Sequence, residues 1–259
     1  MKNTLSGGRS GKIFKIKNTV VRPANPWTKN VHGFLAYLKN KQIDFVPTPI
    51  AFSDSEEIVS FMDGAVYNEP LPEMMLTDEM IISAARLLRQ FHEAGSSYLS
   101  SLTGREVWML DSAAQPEVMC HGDFAPYNVT IMDGVAKNLF DFDTLHPGSR
   151  LEDISYAVYR WVPFYSTTEE GALEERQQLE RLRLFLDTYD LSMAERERLP
   201  EAMINRLEQL VHFMQVQAEN GNRDFQKNID DGHLGKYLND ITYIIGMKDK
   251  IRSAIMEEC

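Results

Sequence analysis

The chain has 259 residues, 43% of them hydrophobic, and a formal net charge of −11, a composition that allows one large core or two small ones and excludes a disordered chain. No apolar run approaches a membrane span, residues 1–11 lack the apolar centre of a signal peptide, and two cysteines make no disulfide framework, so a cytoplasmic location without a membrane partner is expected. Residues 1–43 carry nine Lys or Arg and no Asp or Glu; because the rest is strongly acidic and the basic segment is patterned, a polyphosphate fits it better than nucleic acid.

Taken in order, Ser6-Gly7-Gly8-Arg9-Ser10-Gly11 reads as a flexible loop. Gly7 and Gly8 permit close approach, so its backbone amides can lie along phosphates. It is not a Walker A loop: Ser6 stands where that pattern needs Gly, Ile13 stands where it needs Ser or Thr, and only five residues precede it. Residues 12–16 and 19–22 form a hairpin turning at Lys17-Asn18. A helix follows from Trp27 to Lys39, with Val31, Phe34, Leu35 and Leu38 on its buried face. It contains no acid, and its His32 is assigned no role. Residues 50–53 and 57–62 make a second strand pair, and Met62-Asp63-Gly64-Ala65 a crossover. From Thr77, a candidate N-cap, Met80, Ile81, Ala84, Leu88 and Phe91 mark one long amphipathic helix.

The chemistry is concentrated in Cys120-His121-Gly122-Asp123-Phe124-Ala125-Pro126-Tyr127-Asn128 and in Asp141-Phe142-Asp143. Between them, residues 129–132, an Asp133-Gly134 turn and residues 135–140 read as a hairpin. Its ladder sets Asn128 opposite Asp141 or within two residues of it, so both side chains can reach one point. One carboxylate and one amide carbonyl suit Mg²⁺, which takes its other ligands from water and a substrate's phosphates. Asp123, on the entering loop, can orient a hydroxyl and take its proton. A Cys120–His121 nucleophilic pair is set aside, because neighbours on a strand point to opposite faces. Beyond the hairpin the chain is helical and acidic: Ile154 to Trp161, Leu173 to Tyr189, Pro200 to Asn220 and Leu234 to Glu257.

His-Gly-Asp, an Asn five residues after that Asp, and Asp-Phe-Asp after a hairpin resemble the aminoglycoside phosphotransferase and choline kinase family. The resemblance implies that Asp123 is the catalytic aspartate and that Asn128 and Asp141 hold Mg²⁺ between the phosphates of a nucleoside triphosphate. In it Asp153 would steady the catalytic loop, and Val20-Val21-Arg22 would be the strand bearing the phosphate-contacting cation, with Arg22 in place of Lys. The family's bracing Glu is missing from the helix at 27–39. The resemblance also implies an α+β class and a two-lobed protein-kinase-like fold. Its N-terminal nucleotide-binding lobe, residues 1–62, has a small antiparallel sheet, and its C-terminal lobe, residues 63–259, is mostly helical. The expected function is a small-molecule kinase transferring the γ-phosphate of ATP or GTP to a hydroxyl of a small, cationic acceptor. The alternative is a non-catalytic nucleotide-binding protein with the same fold.

Overall fold

β-branched residues around the Lys17-Asn18 turn, where Lys17 takes a left-handed backbone (φ 54°), pair as β2 (Phe14–Ile16) and β3 (Thr19–Pro23). A strand not foreseen from the sequence, β1 (Lys2–Thr4), adds to the β2 edge. Helix α1 (Thr28–Asn40) buries Val31, Phe34, Leu35 and Leu38, the stripe its spacing predicts. Then β4 (Pro49–Phe52) and β5 (Glu56–Ser60) complete a five-stranded antiparallel sheet of order β1-β2-β3-β5-β4. In the central pair, Val20 faces Val59, Val21 faces Ile58 and Arg22 faces Glu57. The computed structural model describes residues 2–5, 12–111, 115–166 and 173–256, so the glycine loop with Gly7 and Gly8 lies outside the described residues.

Helix α2 (Asp78–Ser96) leads to β6 (Val118–Cys120), the hairpin β7 (Val129–Met132) and β8 (Val135–Leu139), the short β9 (His146–Gly148), and α3 (Arg150–Trp161). Both turn residues of the hairpin have positive φ, 51° at Asp133 and 78° at Gly134, the backbone a tight two-residue hairpin loop requires. After β5 the chain is tied to this hairpin: Ala65 and Ile131 exchange both backbone hydrogen bonds, at 3.0 and 2.7 Å. Gly64 makes the approach possible, since a Cβ there would lie 2.7 Å from Thr130 Cβ. By contact the chain falls into two units, Met1–Val66 with Leu87–Asp153 and Tyr67–Arg86 with Ile154–Cys259. The first holds the sheet, α1 and the β7–β8 hairpin together.

In the second unit, α4 (Glu175–Tyr189), α5 (Met193–Glu219), α6 (Arg223–Asp230) and α7 (His233–Met256) follow α3. Phe185, Leu199, Met203, Leu207, Ile244 and Ile251 are among its buried residues. The helix expected to begin at Pro200 begins instead at Met193. Ser192 and Glu195 form a capping box there, each side chain serving the other's backbone N–H, and that start signal outweighs the cost of an interior proline. Arg181 is buried and donates to the carbonyls of Leu76 and Trp161, giving polar groups at two helix ends a partner. No helix among the described residues is long and apolar enough to cross a membrane.

Candidate active site

Strands β6 and β9 pair so that Cys120 faces His146, and the loop after β6 is held from below by one carboxylate. Asp153, in the first turn of α3, accepts from His121 N–H at 2.8 Å on Oδ2 and from Gly122 N–H at 2.8 Å on Oδ1. His92 Nε2, from α2, donates to the same Oδ2 at 2.9 Å. Burial alone would push the Asp153 carboxyl up, but the His92 hydrogen bond and charge, with the Gly122 amide, hold it down at about 2. Gly122 must be glycine: its φ is 79°, and a Cβ would sit 2.5 Å from the Thr144 carbonyl oxygen. The His121 ring is fully buried against Phe91, Phe124 and Phe142. Its Nε2 lies 3.0 Å from the Phe140 carbonyl and its Nδ1 accepts from Asp123 N–H at 3.3 Å, so Nε2 carries the hydrogen.

This scaffold presents Asp123 with its orientation fixed twice. Tyr127 donates its hydroxyl to Oδ1 at 2.6 Å, and Asn128 Nδ2 donates to Oδ2 and to the Asp123 backbone oxygen, both at 2.9 Å. Each carboxylate oxygen thus has a donor from only four or five residues further along the chain, which sets the plane of the carboxylate. The hairpin register matches the spacing argument: Phe140 N–H donates to Asn128 O at 3.0 Å, and Asp141 is the next residue. Asp141 itself has a left-handed backbone (φ 63°, ψ 71°) at the entrance to the short turn Phe142–Thr144. For a residue other than glycine this conformation is uncommon and costs about 1–3 kcal/mol, and such outliers cluster at functional sites.

Arg22 reaches the same place from β3. Its Nε donates to Glu57 Oε1 at 2.5 Å, one terminal nitrogen to Asp141 Oδ1 at 2.6 Å and the other to Asp143 Oδ1 at 3.0 Å. Trp27 Nε1 also donates to Asp143 Oδ1, at 3.2 Å. Burial works against the Arg22 charge, but Asp141, Asp143 and Glu57 more than offset it and raise the guanidinium above its ordinary value. Burial likewise lifts the Asp143 carboxyl; Arg22 opposes that rise and the nearby Asp141 adds to it. Three carboxylates around one guanidinium leave negative charge uncompensated, as a divalent cation would require. Asn128 fits the same requirement: with its nitrogen on Asp123, its carbonyl oxygen is the atom left to face a cation. Among the described residues no three His, Cys, Asp or Glu side chains form a metal-binding group; Asn128 and Asp141 could supply only two ligands to a Mg²⁺ ion, which would need water and phosphate for the rest.

Of the residues expected from sequence, Asp123 and Asn128 are in contact, Asp141 follows by register, and Arg22 joins through Asp141. Gly7 and Gly8 fall outside the described residues. Sequence reasoning missed Glu57, His32, Trp27 and Tyr127. Glu57 was findable, since pairing β3 with β5 places an acid directly across from Arg22. Tyr127 was not, because a Tyr beside the expected Asn carries no spacing rule.

Residues 102–193 match the sequence model of the phosphotransferase enzyme family, a stretch that contains Asp123, Asn128, Asp141 and Asp153. No curated protein matches the chain. Among solved structures, a choline/ethanolamine kinase family protein from Mesorhizobium loti is similar with a TM-score of 0.62 at 15% identity, over 99% of this chain and 92% of that one. The ethanolamine kinase of Plasmodium vivax gives 0.59 at 14% identity, over 91% and 77%. The ADP-bound aminoglycoside phosphotransferase APH(2″)-Ib gives 0.53 at 13%, over 97% and 94%. At such identities the likeness is one of fold: the chain has the protein-kinase-like fold that these proteins share.

Proposed function

We propose that the protein is a small-molecule kinase that transfers the γ-phosphoryl group of ATP or GTP, as the Mg²⁺ complex, to a hydroxyl of a small acceptor. The observation that carries this reading is Asp123, fixed by Tyr127 and Asn128 on a loop whose amides are locked by Asp153. An oriented carboxylate can align an acceptor hydroxyl with the phosphorus and accept its proton late in the transfer. Asn128 and Asp141 would hold Mg²⁺, which when bound neutralises charge developing on the phosphates. Arg22 would place a second positive charge beside them. A cationic acceptor of the amino alcohol or aminoglycoside class is favoured by the acidic composition beyond residue 43 and by the fold shared with choline/ethanolamine kinase family proteins and an aminoglycoside phosphotransferase.

A second reading, a nucleotide-binding protein without turnover, has one observation in its favour: Arg22 is paired with Asp141, the carboxylate a metal would need. Thermal shift with ATP and with GTP, each with and without Mg²⁺, on the wild type and Asp141→Asn, followed by ADP or GDP release with a panel of amino alcohols and aminoglycosides, separates the two. A nucleotide at about a hundred times its dissociation constant stabilises by about 2.7 kcal/mol. A Mg²⁺-dependent shift that Asp141→Asn abolishes, with turnover on one acceptor, is expected. Binding without turnover on any acceptor would favour the second reading, and no shift with either nucleotide would remove both.

A further inference from the structure

A kinase-like site that relies on a strand cation must hold that cation still, and α1 has no acid with which to do so. The structure supplies the missing brace from other elements. Glu57, directly across the ladder from Arg22, is 1% exposed and gives each carboxylate oxygen one partner. Oε1 takes Arg22 Nε at 2.5 Å, and Oε2 meets His32 Nε2 at 3.0 Å. A carboxylate can only accept, so His32 Nε2 carries the hydrogen and donates it. His32 is itself 6% exposed, with the Phe52 ring edge-on at 4.9 Å between centroids. Helix α1 therefore reaches the site twice without an acid, through His32 to Glu57 and through Trp27, at its N-terminal end, to Asp143.

We propose that Glu57 and His32 are positioning residues that fix the guanidinium of Arg22 for the phosphates of the donor nucleotide, doing from β5 and α1 what a helix carboxylate does for a strand lysine. The inference rests on the phosphotransferase reading above. The geometry divides the guanidinium by edge. The Nε edge is committed to the brace, while each terminal nitrogen has one hydrogen on Asp141 or Asp143 and a second that a phosphate oxygen can take. Lysine has only three donors, all on one nitrogen, so one serving Glu57, Asp141 and Asp143 would have none left for a phosphate, whereas Arg22 keeps two. His32 in turn sets the rotation of the Glu57 carboxylate, since a second donor on Oε2 leaves Oε1 facing Arg22.

The test compares Glu57→Gln, His32→Leu, His32→Gln and, as an exposed control on the same strand, Glu56→Gln. With nucleotide varied at saturating acceptor, Glu57→Gln and His32→Leu are expected to raise the nucleotide KM about tenfold or more while the acceptor KM stays within about twofold. His32→Gln returns a donor and recovers most of that loss, and Glu56→Gln stays within about twofold of wild type. A second readout needs no nucleotide. In ¹⁵N-labelled protein the Arg22 Nε–H is expected to be protected from exchange in the wild type and in Glu56→Gln, and to lose that protection in Glu57→Gln. Should Glu57→Gln fail to fold, the His32 pair carries both readouts. An unprotected Nε–H in the wild type overturns the brace, as does a wild-type nucleotide KM in His32→Leu. A wild type that neither binds nor turns over nucleotide, with its Nε–H protected, overturns the phosphotransferase reading and with it the role in donor binding. Enzyme activity with indifferent variants overturns the inference alone.

Discussion

The loop that carries Asp123 and the Arg22 brace occupy one compact unit but are assembled in opposite ways. In the loop, Tyr127 and Asn128 reach Asp123 from four and five residues away. In the brace, Arg22 meets Glu57, Asp141 and Asp143 across 35, 119 and 121 residues, so none of its contacts exists until the sheet has found its register. The difference separates two kinds of design. The orientation of Asp123 is a property of a short segment, whereas the charge that would hold the donor is a property of the folded unit and is more exposed to distant changes.

The largest expected effect breaks the loop side. Asp123→Ala should lower turnover by about 10² to 10⁴, with the melting temperature within a few degrees of wild type; initial rates of nucleotide diphosphate release measure it, and near-normal turnover would remove Asp123 from the mechanism. Next in size is the support beneath the loop. Because the Asp153 carboxyl is held at about 2, below its usual 3.8, its contribution to stability is complete above about pH 4 and is lost as pH falls through about 2. By linkage that is about 2 kcal/mol. Urea unfolding of wild type and Asp153→Asn across pH 2 to 6 should show the two curves converging at the acid end; curves that stay parallel would contradict it. Smallest is a paired comparison of single donors. Tyr127→Phe and Trp27→Phe each remove one hydrogen bond, to Asp123 and to Asp143 respectively, worth about 0.5–1.5 kcal/mol. The first should lower kcat about fivefold, and the second should raise the nucleotide KM by a similar factor with kcat nearly unchanged. Identical patterns in the two would erase the distinction between loop and brace.

The same distinction explains what could be read in advance. The Asp133-Gly134 turn, the five-residue interval from Asp123 to Asn128 and the apolar stripe of α1 are all local, and each appears where its spacing puts it. His32 looked like an unremarkable helix histidine, because its partner lies on a strand twenty-five residues later and no periodicity links the two. Trp27 was legible as a helix start and not as a hydrogen-bond donor. Strand β1 was invisible because three residues offer no alternation to detect, and α5 starts ahead of Pro200 because Ser192 and Glu195, three residues apart, cap it there.

The left-handed backbone at Asp141 also bears on how this position can vary. Glycine and asparagine are the other residues that enter that region readily, while β-branched and bulky residues are excluded by their own Cβ substituents. In a library of all substitutions at 141 scored for folding alone, Gly and Asn should therefore be the well-tolerated replacements. Glutamate, which keeps the charge, should be tolerated less well than Gly or Asn but better than Val or Ile, since the left-handed Lys17 shows that a long unbranched side chain can enter this region. The site thus restricts its own drift: the changes easiest on the chain, to Gly or Asn, are those that remove the carboxylate.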